Sequence, residues 1–128
     1  MNILVDTHVA LWAIADSPGM PAEARNLILD SQNSIFVSAA SVWEIAIKHS
    51  IGKRNMPISA REALRYFRES GYFILQVSAE HAAFVETLPP YHKDPFDRML
   101  VAQALLEPLR LLTHDQELAK YSDTIILV

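Results

Sequence analysis

The sequence predicts an α/β fold in which a mainly parallel sheet is covered by helices on both faces. Short apolar runs alternate with helical patterns along the chain, and this alternation is typical of βα units. The chain has 128 residues, of which 51% are apolar, so it can bury a core and is too hydrophobic to be disordered. We therefore expect one domain over residues 1–128.

The elements follow from local patterns in the order of the chain. Five apolar runs predict buried strands: Asn2–Val5, Ser34–Val37, Tyr72–Val77, Leu109–Thr113 and Thr124–Val128. Seven segments predict helices: Val9–Ala15, Pro21–Ser31, Ala39–Ile51, Ala60–Ser70, Ala79–Leu88, Pro95–Leu106 and Gln116–Tyr121. Ser59 and Glu62 have the spacing of a capping box, Gly71 suits a helix C-terminus, and Asp94 precedes Pro95 as an N-cap residue does.

Two carboxylates lie just beyond the ends of predicted strands. Asp6 comes after the first strand, and Asp115 lies two residues beyond the fourth. Each has an alternative role as the N-cap of the next helix. Ligands of open α/β sheets bind beyond the carboxyl ends of the strands, so both residues are also candidates for a functional site there.

The third helix is apolar on almost every face, apart from a stripe formed by Ser41, Glu44 and Lys48. A charge on a buried helix is costly unless it faces a cleft, a cation or a partner. Glu44 therefore either pairs with Lys48 one turn away or faces the same sheet edge as Asp6.

Asp94 and Asp97 lie at the start of the sixth helix, where carboxylates are favoured by the helix dipole. Asp94 has two structural alternatives, N-cap and ion pair with Arg98, whereas Asp97 has neither. We therefore favour Asp97 as the functional member. Carboxylates that meet in one cleft repel each other and suit hard cations such as Mg²⁺ or Mn²⁺, which drive phosphodiester hydrolysis.

Four stretches in the same order resemble PIN-domain ribonucleases, specifically the VapC-type toxins of prokaryotic toxin–antitoxin modules. They are Leu4–Trp12 (LVDTHVALW), Ser38–Lys48 (SAASVWEIAIK), His92–Ala104 (HKDPFDRMLVAQA) and Leu111–Asp115 (LLTHD). The resemblance implies a three-layer α/β/α sandwich around a five-stranded sheet. It also implies a catalytic and metal-binding set, Asp6, Glu44, Asp97 and Asp115, supported by the hydroxyls of Thr7 and Thr113 and by Asp94.

The resemblance further implies an Mg²⁺- or Mn²⁺-dependent endoribonuclease that cuts transfer or ribosomal RNA, is inhibited by a cognate antitoxin and forms a homodimer. A stand-alone RNA-processing nuclease and a non-catalytic binding module for RNA or protein remain open. A phosphoacceptor receiver domain is disfavoured because the first strand ends in a lone aspartate, Asp6, and the third in Gln76-Val77-Ser78. A haloacid-dehalogenase-like phosphatase is disfavoured because Asp6-Thr7-His8 lacks the second aspartate that it needs.

Charge is unevenly distributed. The net charge is −4, yet residues 48–68 hold six basic side chains against one acidic one. This basic band consists of Lys48, Lys53, Arg54, Arg61, Arg65 and Arg68. It is either a solvated helix face or, as a hypothesis, a flank of the acidic cleft that contacts RNA phosphates.

Other features of the sequence exclude whole classes of site. The chain has no cysteine, which excludes disulfides, iron–sulfur clusters and thiolate zinc sites.

The five histidines lack metal-ligand spacing, although His8 and His114 each adjoin a proposed ligand and are candidates for phosphate contact. Trp12 and Trp43 are expected as core or interface residues. No signal peptide and no membrane span are predicted, so we expect a cytoplasmic location.

Overall fold

The apolar runs form one five-stranded sheet in a computed structural model that describes all 128 residues. The strands are β1 (Asn2–Val5), β2 (Ser34–Ser38), β3 (Phe73–Leu75), β4 (Arg110–Thr113) and β5 (Ile126–Leu127). The helices are α1 (Thr7–Ala15), α2 (Ala22–Leu29), α3 (Ala39–Ile51), α4 (Ala60–Glu69), α5 (Ala79–Phe84), α6 (Pro95–Leu106) and α7 (Gln116–Ala119). A 3₁₀ turn over Val85–Thr87 follows α5.

All neighbouring strands are parallel, and their order is β3-β2-β1-β4-β5. The chain therefore builds outward from β1 to β3, then returns to the other side of β1 to add β4 and β5. The order reverses between β1 and β4, where Val5 is in register with Leu112. An α/β sheet keeps its ligand site at such a reversal, beyond the carboxyl ends of the two strands.

Side chains that alternate along β1 separate two apolar cores. Ile3 and Val5 pack on one face with residues of α1–α4, including the fully buried Phe67. Leu4 points to the other face and packs with Leu100 and Leu111. Because both faces of the sheet are covered, the central residues of the strands are apolar, and the polar ones lie at the strand ends. The expected three-layer α/β/α architecture is confirmed.

Most predicted helix ends lie within two residues of those observed, but α5 ends at Phe84 and not at Leu88, because a 3₁₀ turn begins at Val85. One cap also differs. Asp94 caps α6 with Pro95 in the first turn, and Gly71 follows α4 with a φ of 81°. At α4 the Ser59 hydroxyl accepts the Glu62 N–H but donates to the Glu62 carboxylate, so the capping box is only half formed. A complete capping box occurs instead at Ser78, before α5.

The two outermost strands are shorter than predicted. β3 comprises three residues and β5 two, because an edge strand has a partner on one side only and leaves the sheet early. The Gln76 carbonyl, for example, accepts a hydrogen bond from the buried Gln103 amide instead of a strand partner. No helix of the structure combines the length and the apolar character needed to cross a membrane.

Candidate active site

A cleft of about 670 Å³ opens at the carboxyl ends of β1 and β4. The four predicted carboxylates Asp6, Glu44, Asp97 and Asp115 all line it, together with Asp94 and Thr7. The other lining residues are His8, Leu11, Lys48, Met56, His114 and Gln116. Four separate parts of the chain thus deliver acidic side chains to one place.

Asp6 serves both as a helix cap and as the floor of the cleft. Its side chain is 5% exposed. One carboxylate oxygen, Oδ1, accepts the Val9 N–H at 2.8 Å, and Oδ2 accepts the Thr113 hydroxyl at 2.5 Å. Burial raises the pKa of Asp6, although these two hydrogen bonds oppose the rise. The cap and the site are therefore not alternatives for this residue.

The two predicted threonines have different partners. Thr113 is fully buried and orients Asp6, while its hydroxyl oxygen also accepts the Asp115 N–H at 3.0 Å. Thr7 instead donates to the hydroxyl of Ser41 at 2.8 Å. Thr7 therefore helps to tie α1 to α3 rather than orienting a carboxylate.

Glu44 is buried on α3 and is only half satisfied. Its Oε2 accepts from Lys48 Nζ at 2.6 Å, so the predicted ion pair exists, and this hydrogen bond raises the pKa of Lys48. Its Oε1 is buried and has no hydrogen-bond partner. A carboxylate oxygen left unpaired in a buried position is costly, and a cation in the cleft would satisfy it.

Asp97 has the most perturbed carboxyl group of the site. Burial raises the pKa of Asp97 to about 7, and the charges of Asp94, Asp6 and Glu44 add to the rise, while His92 opposes it. A strongly raised carboxyl pKa in a cleft indicates a functional position.

Asp94 is chiefly a cap. Its Oδ1 accepts the N–H groups of Phe96 and Asp97 at 2.8 and 3.0 Å. The predicted ion pair with Arg98 is wrong, because the Arg98 guanidinium turns away and donates to backbone carbonyls and to the Tyr121 hydroxyl. The carbonyls of an irregular loop need donors, and Arg98 supplies them.

Asp115 lies at the mouth of the cleft and is held through both oxygens. Its Oδ1 accepts the Glu117 N–H at 2.9 Å, which caps α7, and its Oδ2 lies 2.8 Å from Nε2 of His92. Partial burial acts to raise the pKa of Asp115, but these bonds outweigh it, and the pKa lies below its usual range.

His92 is the site residue that sequence reasoning missed. Its Nε2 lies 3.5 Å from Asp97 Oδ2 as well as 2.8 Å from Asp115 Oδ2. Residue spacing gave no signal for this contact, since Asp115 lies 23 residues further along the chain. The only available hint was the place of His92 two residues before Asp94 in the HKDPFD stretch.

The other histidines and the tryptophans have mixed outcomes. His8 and His114 do line the cleft, and Trp12 packs between them with ring centroids at 4.1 and 5.4 Å. Trp43 is not a core residue, because 63% of it is exposed, with its ring edge-on to Phe96.

Of the basic band, the structure places only Lys48 in the cleft. Lys53 and Arg54 lie exposed in the turn after α3. The arginines of α4 also face solvent: Arg61, Arg65 and Arg68.

The donor set fits a hard divalent cation. Oxygen atoms predominate, Glu44 Oε1 has no partner in the protein, and burial, together with the charges of neighbouring carboxylates, raises the pKa of Asp97. Carboxylate oxygens of Asp97 and Asp115 also lie within 4.8 Å of each other. Mg²⁺ and Mn²⁺ prefer such oxygen ligands.

Comparison with known proteins agrees with this geometry. A family model described as the PIN domain matches residues 3–123. Ribonuclease VapC16 of Mycobacterium tuberculosis is 42% identical over 62 residues, which are 48% of this chain and 44% of that protein. The match thus spans less than half of the relative's length.

Solved structures share the fold at low sequence identity. The VapBC2 complex of Rickettsia felis, bound to a DNA fragment from its promoter, matches with a TM-score of 0.72 and 20% identity, over 100% of this chain and 98% of that chain. A toxin–antitoxin complex from Klebsiella pneumoniae matches with a TM-score of 0.60 and 20% identity, over 97% and 95%. Since the family model covers nearly the whole chain and the acidic cleft lies within it, the protein belongs to the PIN-domain family.

Proposed function

We propose that the protein is an Mg²⁺- or Mn²⁺-dependent endoribonuclease that acts as the toxin of a toxin–antitoxin pair. The observation that carries the proposal is the convergence of Asp6, Glu44, Asp97 and Asp115 on one cleft at the β1–β4 reversal. The partly matching relative named as a ribonuclease supports RNA as the substrate. Transfer or ribosomal RNA is the proposed target, and the cytoplasm the proposed location.

In this proposal Asp6, Glu44, Asp97 and Asp115 hold the cation, with Asp115 at the mouth of the cleft. A bound divalent cation activates water and stabilises the leaving oxygen in phosphodiester hydrolysis. The protein's own contribution is orientation. Thr113 and the Val9 N–H fix both oxygens of Asp6, and Lys48 fixes one oxygen of Glu44 while leaving the other free.

Cleavage of structured RNA by the purified protein with Mg²⁺ or Mn²⁺ tests the proposal. Asp6→Asn and Asp97→Asn should each lower the rate by more than ~100-fold, because a ligand should matter more than its supporting partners. Asp123→Asn is a matched control on an exposed acid outside the cleft, and it should cleave normally. Cleavage that survives both cleft substitutions would favour the non-catalytic binding module.

The proposed antitoxin contact is an apolar groove beside the cleft. The groove is lined by Leu11, Trp12, Ile14, Ile58 and Tyr66, among others, and it shares His8, Leu11 and Met56 with the acidic cleft. A partner segment with apolar side chains and a nearby lysine or arginine complements both surfaces. The structural neighbours that are toxin–antitoxin complexes support a partner of this kind.

An adjacent short reading frame tests the toxin assignment. Its product should form a complex with this chain and stop cleavage, whereas the absence of such a gene would favour a stand-alone RNA-processing nuclease.

The homodimer remains a prediction. Trp43, Ile47 and Ile51 on α3 are exposed apolar side chains available for it, and sedimentation of the purified chain measures it.

A further inference from the structure

His92 lies where two carboxylates of the cleft meet. It belongs to the loop that joins the 3₁₀ turn to α6, and its side chain is 16% exposed. Nε2 is within hydrogen-bond distance of Asp115 Oδ2, at 2.8 Å, and is further from Asp97 Oδ2, at 3.5 Å. The ring therefore joins the loop before α6 to the residue that caps α7.

The other ring nitrogen determines what Nε2 does. The backbone N–H of Asp94 donates to Nδ1 of His92 at 3.0 Å. An acceptor at Nδ1 needs a free lone pair, so the proton of the neutral ring is on Nε2. Nε2–H consequently donates to Asp115. For Nε2 to bind a cation directly, its proton would have to move to Nδ1, against the Asp94 N–H.

The loop that carries His92 is itself fixed. The His92 N–H donates to the Tyr121 hydroxyl at 3.0 Å. The Arg98 guanidinium donates to the carbonyls of four residues along this segment: Val85, Leu88, Pro89 and His92. Backbone groups that an irregular loop leaves unpaired are thus satisfied by side chains of α6 and of the segment after α7, which makes the ring position rigid.

We propose that His92 is a positioning residue that orients Asp115 and is not a metal ligand. The proposal rests on the proposed function, since it concerns how the chain prepares the same cleft for a divalent cation. The Glu117 N–H holds Oδ1 of Asp115 and His92 holds Oδ2. Each oxygen keeps further acceptor capacity, so the carboxylate is fixed in its plane and can still face the cleft. Supporting partners of this kind change metal affinity or activity by ~10–100-fold.

Two substitutions separate the functions of the two ring nitrogens. In His92→Asn the side chain is short, and its amide oxygen can take the place of Nδ1. The hydrogen bond from the Asp94 N–H is then kept, and the hydrogen bond to Asp115 is lost. In His92→Gln the longer amide reaches the place of Nε2 and can donate to Asp115. Two quantities are measured for both variants of the full chain. The first is Mn²⁺ affinity, from the electron paramagnetic resonance signal of the free ion, and the second is RNA cleavage at saturating Mn²⁺.

We expect His92→Asn to lose ~10-fold or more in Mn²⁺ affinity or turnover and His92→Gln to recover most of it. Equal losses in the two variants, no loss in either, or tighter Mn²⁺ binding in His92→Asn would each overturn the proposal. Electron spin-echo spectra of the Mn²⁺-bound wild type should contain no hyperfine coupling between the Mn²⁺ electron spin and a coordinated histidine nitrogen. Such a coupling that disappears in His92→Gln would make His92 a ligand and also overturn the proposal.

His81 provides a matched control. Its Nδ1 accepts the Ser78 N–H at 3.0 Å and its Nε2 bonds Glu107 at 2.5 Å, the same arrangement outside the cleft. His81→Asn should lower thermal stability and leave Mn²⁺ affinity unchanged. A wild type that binds Mn²⁺ without cleaving RNA would refute the proposed function alone, because the Mn²⁺ affinities of the variants would still test His92.

Discussion

At the residue scale, the acidic side chains combine structural and functional roles. Asp6, Asp94 and Asp115 each accept the backbone N–H groups that begin a helix, and each also lines the cleft. A cap fixes one oxygen of the carboxylate at low entropic cost, because the helix is already ordered. The second oxygens of Asp6 and Asp115 are held as well, by the Thr113 hydroxyl and by His92, so both carboxylates have a defined orientation at the cleft.

Asp97 makes the stability of the metal-free protein depend on pH. Its pKa is about 7 in the folded protein against an ordinary value of 3.8, so the folded state holds a proton that the unfolded state has already lost. The contribution of Asp97 to the free energy of unfolding is therefore fully present below about pH 4 and is lost as the pH rises through about 7. With a quarter of the side chain exposed, solvent screening limits the effect to roughly 1–2 kcal/mol.

Urea unfolding with a chelator between pH 4.5 and pH 8, in roughly half-unit steps, measures this dependence. Asp97→Asn should flatten it and should be more stable than the wild type at pH 8 by roughly 1 kcal/mol, because a buried like charge is removed. Parallel curves for the two proteins would show that Asp97 ionises normally in the folded state.

At the scale of elements, α4 divides its faces between core and solvent. Ala63 and Phe67 are fully buried against α1 and α3, whereas the arginines point outward. Arg65 lies over the Tyr66 ring at 4.9 Å and is near Glu69 at 4.0 Å. The arginines therefore contribute little to the fold, and they are available to phosphates.

Replacement of Arg61, Arg65 and Arg68 together by glutamine tests this face of α4. Stability should change by no more than ~0.5 kcal/mol per residue, since surface substitutions are usually this mild. If all three contact RNA phosphates, affinity should fall and the slope of log affinity against log salt should drop by about 2. Filter binding of RNA by a cleavage-inactive Asp97→Asn background, over a range of salt, measures the slope.

Arg110→Gln is the control for that experiment. Arg110 is exposed at the amino end of β4, away from the cleft, and donates to the Thr124 carbonyl. Its replacement should leave the salt slope unchanged. A slope that is equally unchanged in the α4 variant would show that the basic band is a solvated helix face.

At the scale of the whole molecule, the sheet topology concentrates like charges at one edge. Repulsion among the four carboxylates destabilises the fold: Asp6, Glu44, Asp97 and Asp115. Burial of apolar side chains on both faces of the sheet offsets this repulsion. A cation that binds only the folded state offsets this repulsion and stabilises the fold by mass action.

Mg²⁺ in tenfold excess over its Kd should therefore stabilise the protein by about 1.4 kcal/mol and raise its Tm by roughly 3–6 °C. Circular dichroism melts with Mg²⁺ and with chelator measure the shift. Asp97→Asn should lose most of it, and Asp123→Asn should keep it. A wild type whose Tm is the same under both conditions would have no preformed cation site.

Local patterns determined most of the elements. The apolar run before Asp6, the apolar third helix and the Asp94-Pro95 start of α6 predicted β1, α3 and α6 with the bounds that the structure has. They also placed Asp6 and Asp115 just after strands, Asp97 in the first turn of α6 and Glu44 in the second turn of α3. Periodicity and capping act within a few residues, so the sequence reports them directly.

Tertiary structure alone decided which side chains meet. Thr113 reaches Asp6 across 107 residues, His92 reaches Asp115 across 23, and Arg98 turns from Asp94 to the carbonyls of its own preceding loop. The order β3-β2-β1-β4-β5 also depends on packing of the two sheet faces. Such contacts join residues that are distant in the chain, and burial and backbone satisfaction over the whole molecule select them, so no local pattern of the sequence encodes them.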